Sequence, residues 1–322
     1  MENIYLILVV VLFALAISDL VVGVSNDAVN FLNSAIGSKA ASFKVIMLIA
    51  SLGVFVGATF SSGMMEIARK GIFHPEMFFF SEIMIIFFAV MITDVILLDT
   101  FNTFGLPTST TVSIVFELLG AAVAISMVKV FASGVGEVSD YINSSKALSI
   151  IFGILLSVFV AFLTGAIVQW VSRLVFSFNF KKNMKNYGSI WGGLAITAIT
   201  YFILIKGVKG STYADLEISQ GLTLVGWVKD HTFLMLTYGF IGWTILLQIF
   251  SWIFKMNIPK FIVLVGTFAL AMAFAGNDLV NFIGVPLAGY ESFKIFIASP
   301  DLDPEMFLMT GLTGKVKTPV YF

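Results

Sequence analysis

The chain has 322 residues, 59% hydrophobic and 11% charged, with a mean hydropathy of +1.01, which excludes water-soluble globular domains and disorder and describes a protein dissolved in a bilayer. With 18 Lys and Arg against 19 Asp and Glu, the net charge of −1 is too small and too evenly spread for nucleic-acid binding. There are no cysteines, so disulfides, thiolate metal sites, iron–sulfur clusters and cysteine nucleophiles are excluded, and two histidines, His74 and His231, are too few for a histidine-rich metal centre.

A helix crossing about 30 Å of hydrocarbon needs roughly 20 mostly apolar residues. The pattern predicts about eight such runs, at 4–24, 43–65, 79–98, 104–128, 148–178, 188–208, 233–254 and 258–275. Runs such as Ile4 to Leu15 show no period of two, as barrel strands would, so the predicted fold is an all-α polytopic membrane bundle. The first run begins Met1-Glu2-Asn3, without the positive start of a signal sequence, and is long for one. Basic residues gather at Lys39 and Lys44, at Arg69 and Lys70, and at Arg173, Lys181, Lys182 and Lys185, a spread that leaves orientation open.

The fourth run opens with FGLPTSTTVS at 104–113. Gly105 and Pro107 interrupt a helix just before Thr108, Ser109, Thr110 and Thr111, so freed N–H groups and hydroxyls would gather at a new helix start, a natural oxyanion site. The patch fits a re-entrant hairpin near 102–126, and equally a Pro-kinked span whose hydroxyls bond back to their own carbonyls. Asp94, Asp99, Glu66 and Glu117 fit either an internal cavity or the headgroup region. The most polar stretch, 206–232, is predicted to be an extramembrane linker between a first repeat, 1–205, and the start of a second, 233–322.

The repeat rests on two signatures. Residues 26–31 read NDAVNF and residues 277–282 read NDLVNF, five of six positions agreeing at an offset of 251 (277 − 26). Both close a long apolar run. A carboxylate there costs on the order of 2.5–3.5 kcal/mol, so such residues face a bundle interior or a wet cavity. Gly23, Gly37, Gly276, Gly284 and Pro286 are expected to let each helix break, as in secondary transporters with repeated halves. The spacing Asp-x-x-Asn puts both side chains on one face of a turn. Convergence of the two turns would bring Asp27, Asn30, Asp278 and Asn281 together, with carboxylate and amide oxygens suited to Na⁺ and amide donors suited to an oxyanion beside it. The competing reading is that these groups only pin helices together by hydrogen bonds.

The motifs Ser25 to Asn30, Gly105 to Thr111 and Gly276 to Asn281 resemble those of the inorganic phosphate transporter (PiT) family, G-A-N-D-x-x-N twice with G-x-P-x-S-T-T between. The run Ala35 to Ala40 is similar to the family's continuation of the first signature. The resemblance covers about residues 17–130 and 260–295. It implies a Na⁺-coupled phosphate symporter, not an enzyme, with inverted repeats, discontinuous helices, no cofactor beyond the coupling ion, a multi-pass position in the cell (inner or plasma) membrane and a homodimeric assembly. It assigns Na⁺ to Asp27, Asn30, Asp278 and Asn281, and phosphate to Asn30, Thr108, Ser109, Thr110 and Asn281. The alternatives are an anion channel or membrane receptor, or a symporter coupling another tetrahedral oxyanion to H⁺.

The chain departs from the family pattern at Val24-Ser25, where Gly-Ala is usual, and at Val112, where His or Gln often follows the hydroxyls. A second hydroxyl patch does not occur before Phe322, and residues 305–322 read as the opening of a further membrane segment, so a fragment of a longer transporter is expected, the alternative being a site completed by another chain. Gly311 to Lys315 lacks the Gly and the Ser or Thr of a phosphate loop, having Met309 and Val316 at those positions. The Gly-x-Gly-Asp pattern of an intramembrane aspartyl protease is not matched by Ala275 to Asp278.

Overall fold

A computed structural model describes residues 2–59, 71–209, 217–219, 222–299 and 303–313. Glu66, Arg69, Lys70, parts of the 206–232 stretch and the tail from 314 onward lie outside the described residues. In chain order the helices are α1 (Glu2–Gly37), α2 (Phe43–Thr59), α3 (Phe80–Thr103), α4 (Thr110–Ser133), α5 (Ser144–Phe176) and α6 (Phe180–Lys209). A short antiparallel pair follows, β1 (Glu217–Ser219) and β2 (Leu222–Thr223), then α7 (Leu224–Asp230), α8 (Thr232–Phe254), α9 (Ile258–Asn277) and α10 (Leu279–Ile297). Among the described residues seven stretches are long and apolar enough to cross a membrane, and α2 is a shorter apolar helix of 17 residues. Apart from that strand pair this is a helical polytopic bundle, as the hydropathy pattern predicts.

Two differences from expectation have physical causes. The last apolar run does not end at 275. Beyond a junction at Asp278 the chain continues as α10, most of whose residues are buried, among them Asn281, Gly284, Pro286, Glu291 and Ser292. Hydropathy scores the preference for lipid, and a helix solvated by other helices can carry polar residues that a lipid-facing one cannot. The second difference concerns α1, which passes through the first signature without the expected break. Gly23 gives room, not a bend: a Cβ there would lie 2.2 Å from Cζ of Phe282, a ring 1% exposed.

The chain sorts into two compact units. The first comprises residues 1–27, 63–155 and 278–322. Its core joins Leu12 and Ala16 of α1, Phe80, Phe87 and Met91 of α3, Leu118 of α4 and Val285 of α10. Phe80 stacks on Phe296 with ring centroids 4.3 Å apart. The α3 helix stops at Gly105, whose φ of +66° is the left-handed geometry that glycine adopts at no steric cost, and Pro107 follows where the helix cannot continue.

The second unit comprises residues 28–62 and 156–277, with α2 against α9 and α6 against α8 and α9. Gly53 and Gly57, four residues apart on one face of α2, allow backbone contact with α9. A Cβ on Gly53 would meet the Phe268 carbonyl oxygen at 2.5 Å, and one on Gly57 the Met272 carbonyl oxygen at 2.2 Å. The outer surface of α5 is apolar and exposed, with Phe152, Leu155, Phe159 and Phe162 all above 60%, a surface that acyl chains solvate and water does not.

One pair of contacts carries the sequence repeat into three dimensions. In the second unit Phe31 packs on Phe274, centroids 5.4 Å apart, and in the first Phe282 packs on Gly23. Phe282 is Phe31 shifted by 251 (282 − 31), and Phe274 is Gly23 shifted by 251 (274 − 23), so equivalent positions exchange roles.

Replacing Gly57 by Leu should drive α2 from α9 and cost about 1–3 kcal/mol, read as a lower melting temperature in detergent. Gly120→Ala, at a helical glycine with nothing within 4 Å of the added carbon, should not lower the melting temperature and should raise it slightly, since alanine favours a helix over glycine by about 0.5–1 kcal/mol.

Candidate functional site

The break between α3 and α4 is held by one side chain from α1. Asn26, 5% exposed, donates from Nδ2 to the Leu106 carbonyl at 3.0 Å and accepts from the Thr108 amide on Oδ1 at 2.9 Å. Its amide thus pairs with the non-helical backbone as a neighbouring strand would. Backbone that lies in neither helix has no ladder partners of its own, and this side chain supplies two. The clamp sets the start of α4, where Ser109 is the N-cap and its hydroxyl accepts from the Val112 amide at 3.4 Å.

From this start the hydroxyls fan out. Ser109 is exposed and Thr108 half-buried. Thr110, 1% exposed, faces Asp27. Thr111 makes the link to α10: its Oγ1 donates to Asp278 Oδ1 at 2.9 Å and accepts from Asn281 Nδ2 at 2.8 Å. Asp278 is the N-cap of α10, and Asn281 is 5% exposed, one turn on. Asp27, 4% exposed, lies near enough to Asp278 for the two carboxylates to act on each other.

The structure therefore brings Asp27, Thr110, Thr111, Asp278 and Asn281 together within the first unit, from three helices and three distant parts of the sequence. Asn30 follows Asp27 by three residues on α1, is exposed, and falls in the second unit. Of the carboxylates that the sequence left between cavity and headgroups, Asp94 is completely buried and Asp99 is exposed. His74 lies 3.4 Å from Glu76, and His231 stacks on Trp227.

Two residues hold more of the site than the sequence suggested. Asn26 was visible only as a repeated letter of the signature, and Thr111 only as the last hydroxyl of its patch. Thr108 precedes the helix and shares no helical phase with Thr111, so no local pattern singles Thr111 out.

Chemically, the group joins hard oxygen donors, two carboxylates with hydroxyl and amide oxygens, to the positive end of a helix rich in hydroxyls. The donors suit a hard cation such as Na⁺, and the helix start suits an oxyanion.

Comparison with known proteins bears on the family and the fold. The profile of the phosphate transporter family matches residues 23–314. A protein of Thermococcus kodakarensis named "putative phosphate permease" is 26% identical over 270 residues, 83% of this chain and 62% of its own length. One of the same description from Pyrococcus abyssi is 25% identical over 310 residues, 90% of this chain and 69% of its own. This chain thus spans about three fifths of the length of the Thermococcus relative. A solved structure described as the sodium-dependent phosphate transporter shares the fold, with a TM-score of 0.65 at 17% identity, over 95% of this chain and 72% of that one. Agreement from residue 23 to residue 314, through both signatures and the hydroxyl break between them, makes this chain a member of the phosphate transporter family.

Proposed function

We propose that the protein moves inorganic phosphate across the cell membrane by symport with Na⁺. The observation that carries the reading is the hydrogen-bonded chain Asn281–Thr111–Asp278, which ties a carboxylate to the hydroxyl-rich start of α4. Alone, two carboxylates beside that helix start would repel an anion. A Na⁺ held by Asp27 and Asp278, with the oxygens of Asn30 and Asn281, reverses the local sign, so phosphate binds well only after the cation has bound. That mutual dependence is a coupling free energy, and it is what symport requires.

In this reading Thr108, Ser109 and Thr110 hold phosphate oxygens, together with the amides of Asn30 and Asn281. Hydroxyl and amide donors recognise a tetrahedral oxyanion by size and charge. The free energy of the membrane potential, about 2.3 kcal/mol per charge per 100 mV, and of the Na⁺ gradient drives accumulation. The names of the relatives, phosphate permeases and a sodium-dependent phosphate transporter, point to the same substrate and ion.

Two sets of variants test the assignment through [³²P]phosphate uptake into proteoliposomes. Asp27→Asn and Asp278→Asn, nearly isosteric and uncharged, should each abolish Na⁺-dependent uptake while the protein stays folded; unchanged uptake would remove the cation assignment. Thr111→Val deletes the hydroxyl between Asp278 and Asn281. The loss of a buried bond worth about 1–3 kcal/mol predicts a rise in apparent phosphate KM of roughly 5- to 150-fold. Thr111→Ser, which keeps the hydroxyl, should stay within a few-fold of the natural chain.

A further inference from the structure

The first unit contains three more carboxyl groups that the symport reading does not use: Asp19 on α1, Asp94 on α3 and Glu117 on α4. Asp94 lies against both of the others. Asp19 and Asp94 are completely buried, and the Glu117 carboxyl oxygens are buried although its stem is not. None of the six oxygens receives a hydrogen bond from a donor among the described residues.

The cluster lies two helical turns from the site. Asp19 precedes Asp27 by eight residues on α1, and Glu117 follows Thr110 by seven on α4, each about 10–12 Å along its helix. Glu117 also lines a cleft of about 550 Å³ together with Thr108, Thr93 and Ser113. The cleft therefore joins the edge of the cluster to the edge of the hydroxyl patch.

Charge balance decides what the cluster must contain. The facing elements supply no base: Lys129 of α4 is 2.7 Å from Glu82, and Lys294 of α10 lies over the Tyr290 ring. Asp27 on α1 is a further carboxylate near enough to act on Asp94, while Glu291 lies farther along α10, beyond the Gly289 that touches Leu12. Three ionised carboxylates in contact, with no donor and no base, cannot stay together in a hydrocarbon interior. An ionised carboxylate only accepts hydrogen bonds; once protonated it becomes a donor to its neighbour. Two protons are enough to bond all three groups through the central Asp94, leaving a single negative charge. The oxygen set is made of carboxyls alone, without the carbonyl and amide oxygens a metal cation gathers as it loses its water, and the described residues hold no cluster suited to a metal ion.

We propose that Asp19, Asp94 and Glu117 form a proton-binding carboxyl triad in the membrane interior, with Glu117 its point of exchange with the cleft beside the hydroxyl patch. The triad rests on its own residues and holds whatever anion occupies the hydroxyls.

Infrared spectroscopy of the purified full chain in lipid nanodiscs, in K⁺ buffer without phosphate, tests it. Near neutral pH the natural chain should show the C=O stretch of protonated carboxyl groups, shifting down in D₂O. Asp94→Asn and Glu117→Gln should each remove intensity from that band, and Glu76→Gln, at a half-buried carboxylate paired with His74 outside the triad, should not. Glu117→Gln changes only the cleft-side member and keeps a hydrogen-bonding group, so it decides the matter even if Asp94→Asn fails to fold. A missing band in the natural chain, or a band that survives both triad variants, would overturn the proposal. So would loss of the band on adding Na⁺ at constant pH, which would make the occupant a metal cation.

Discussion

The rest of the first unit depends on the pairing of one amide side chain with broken backbone. Residues 104–109 belong to neither α3 nor α4, so their peptide groups have no helical partners and need others. Asn26 supplies two of them. Because Asn26 adjoins Asp27 on the continuous helix α1, the clamp that permits the break also places a carboxylate beside the start of α4. Hydroxyls, helix end and acid are brought together by that single contact, and α10 adds Asp278 and Asn281 through Thr111.

The two signatures use similar residues on different backbones. The first lies inside a helix of 36 residues, and the second crosses the junction between α9 and α10. Yet the aromatic contacts Phe31–Phe274 and Phe282–Gly23 exchange equivalent positions. Packing has kept the repeat where backbone geometry has not.

Much of the architecture was legible because lipid imposes a strong rule on sequence: each of the eight apolar runs contains or opens into a helix. The failures have physical causes. α10 was missed because its polar residues are solvated by protein, and Asp19 went unnoticed because one acid in a run of 21 residues hardly changes an average. The site was legible through repetition, which singled out Asp27 and Asp278. Its connections were not: whether Thr110 or Thr111 reaches α10, and which atoms Asn26 meets, depend on helix phase and packing that no local pattern encodes. Asp94 and Asp99 differ by five residues and by complete burial against exposure for the same reason.

The central claim is that cation and anion share one site, so that each needs the other. Its most direct test is a calorimetric titration of phosphate into the purified chain at a series of Na⁺ concentrations, with choline as the replacing cation, and of Na⁺ at a series of phosphate concentrations. Linkage requires that Na⁺ tighten phosphate and phosphate tighten Na⁺ by the same factor. Equal, large factors are predicted. Phosphate binding that ignores Na⁺, with Na⁺ binding that ignores phosphate, would contradict the account.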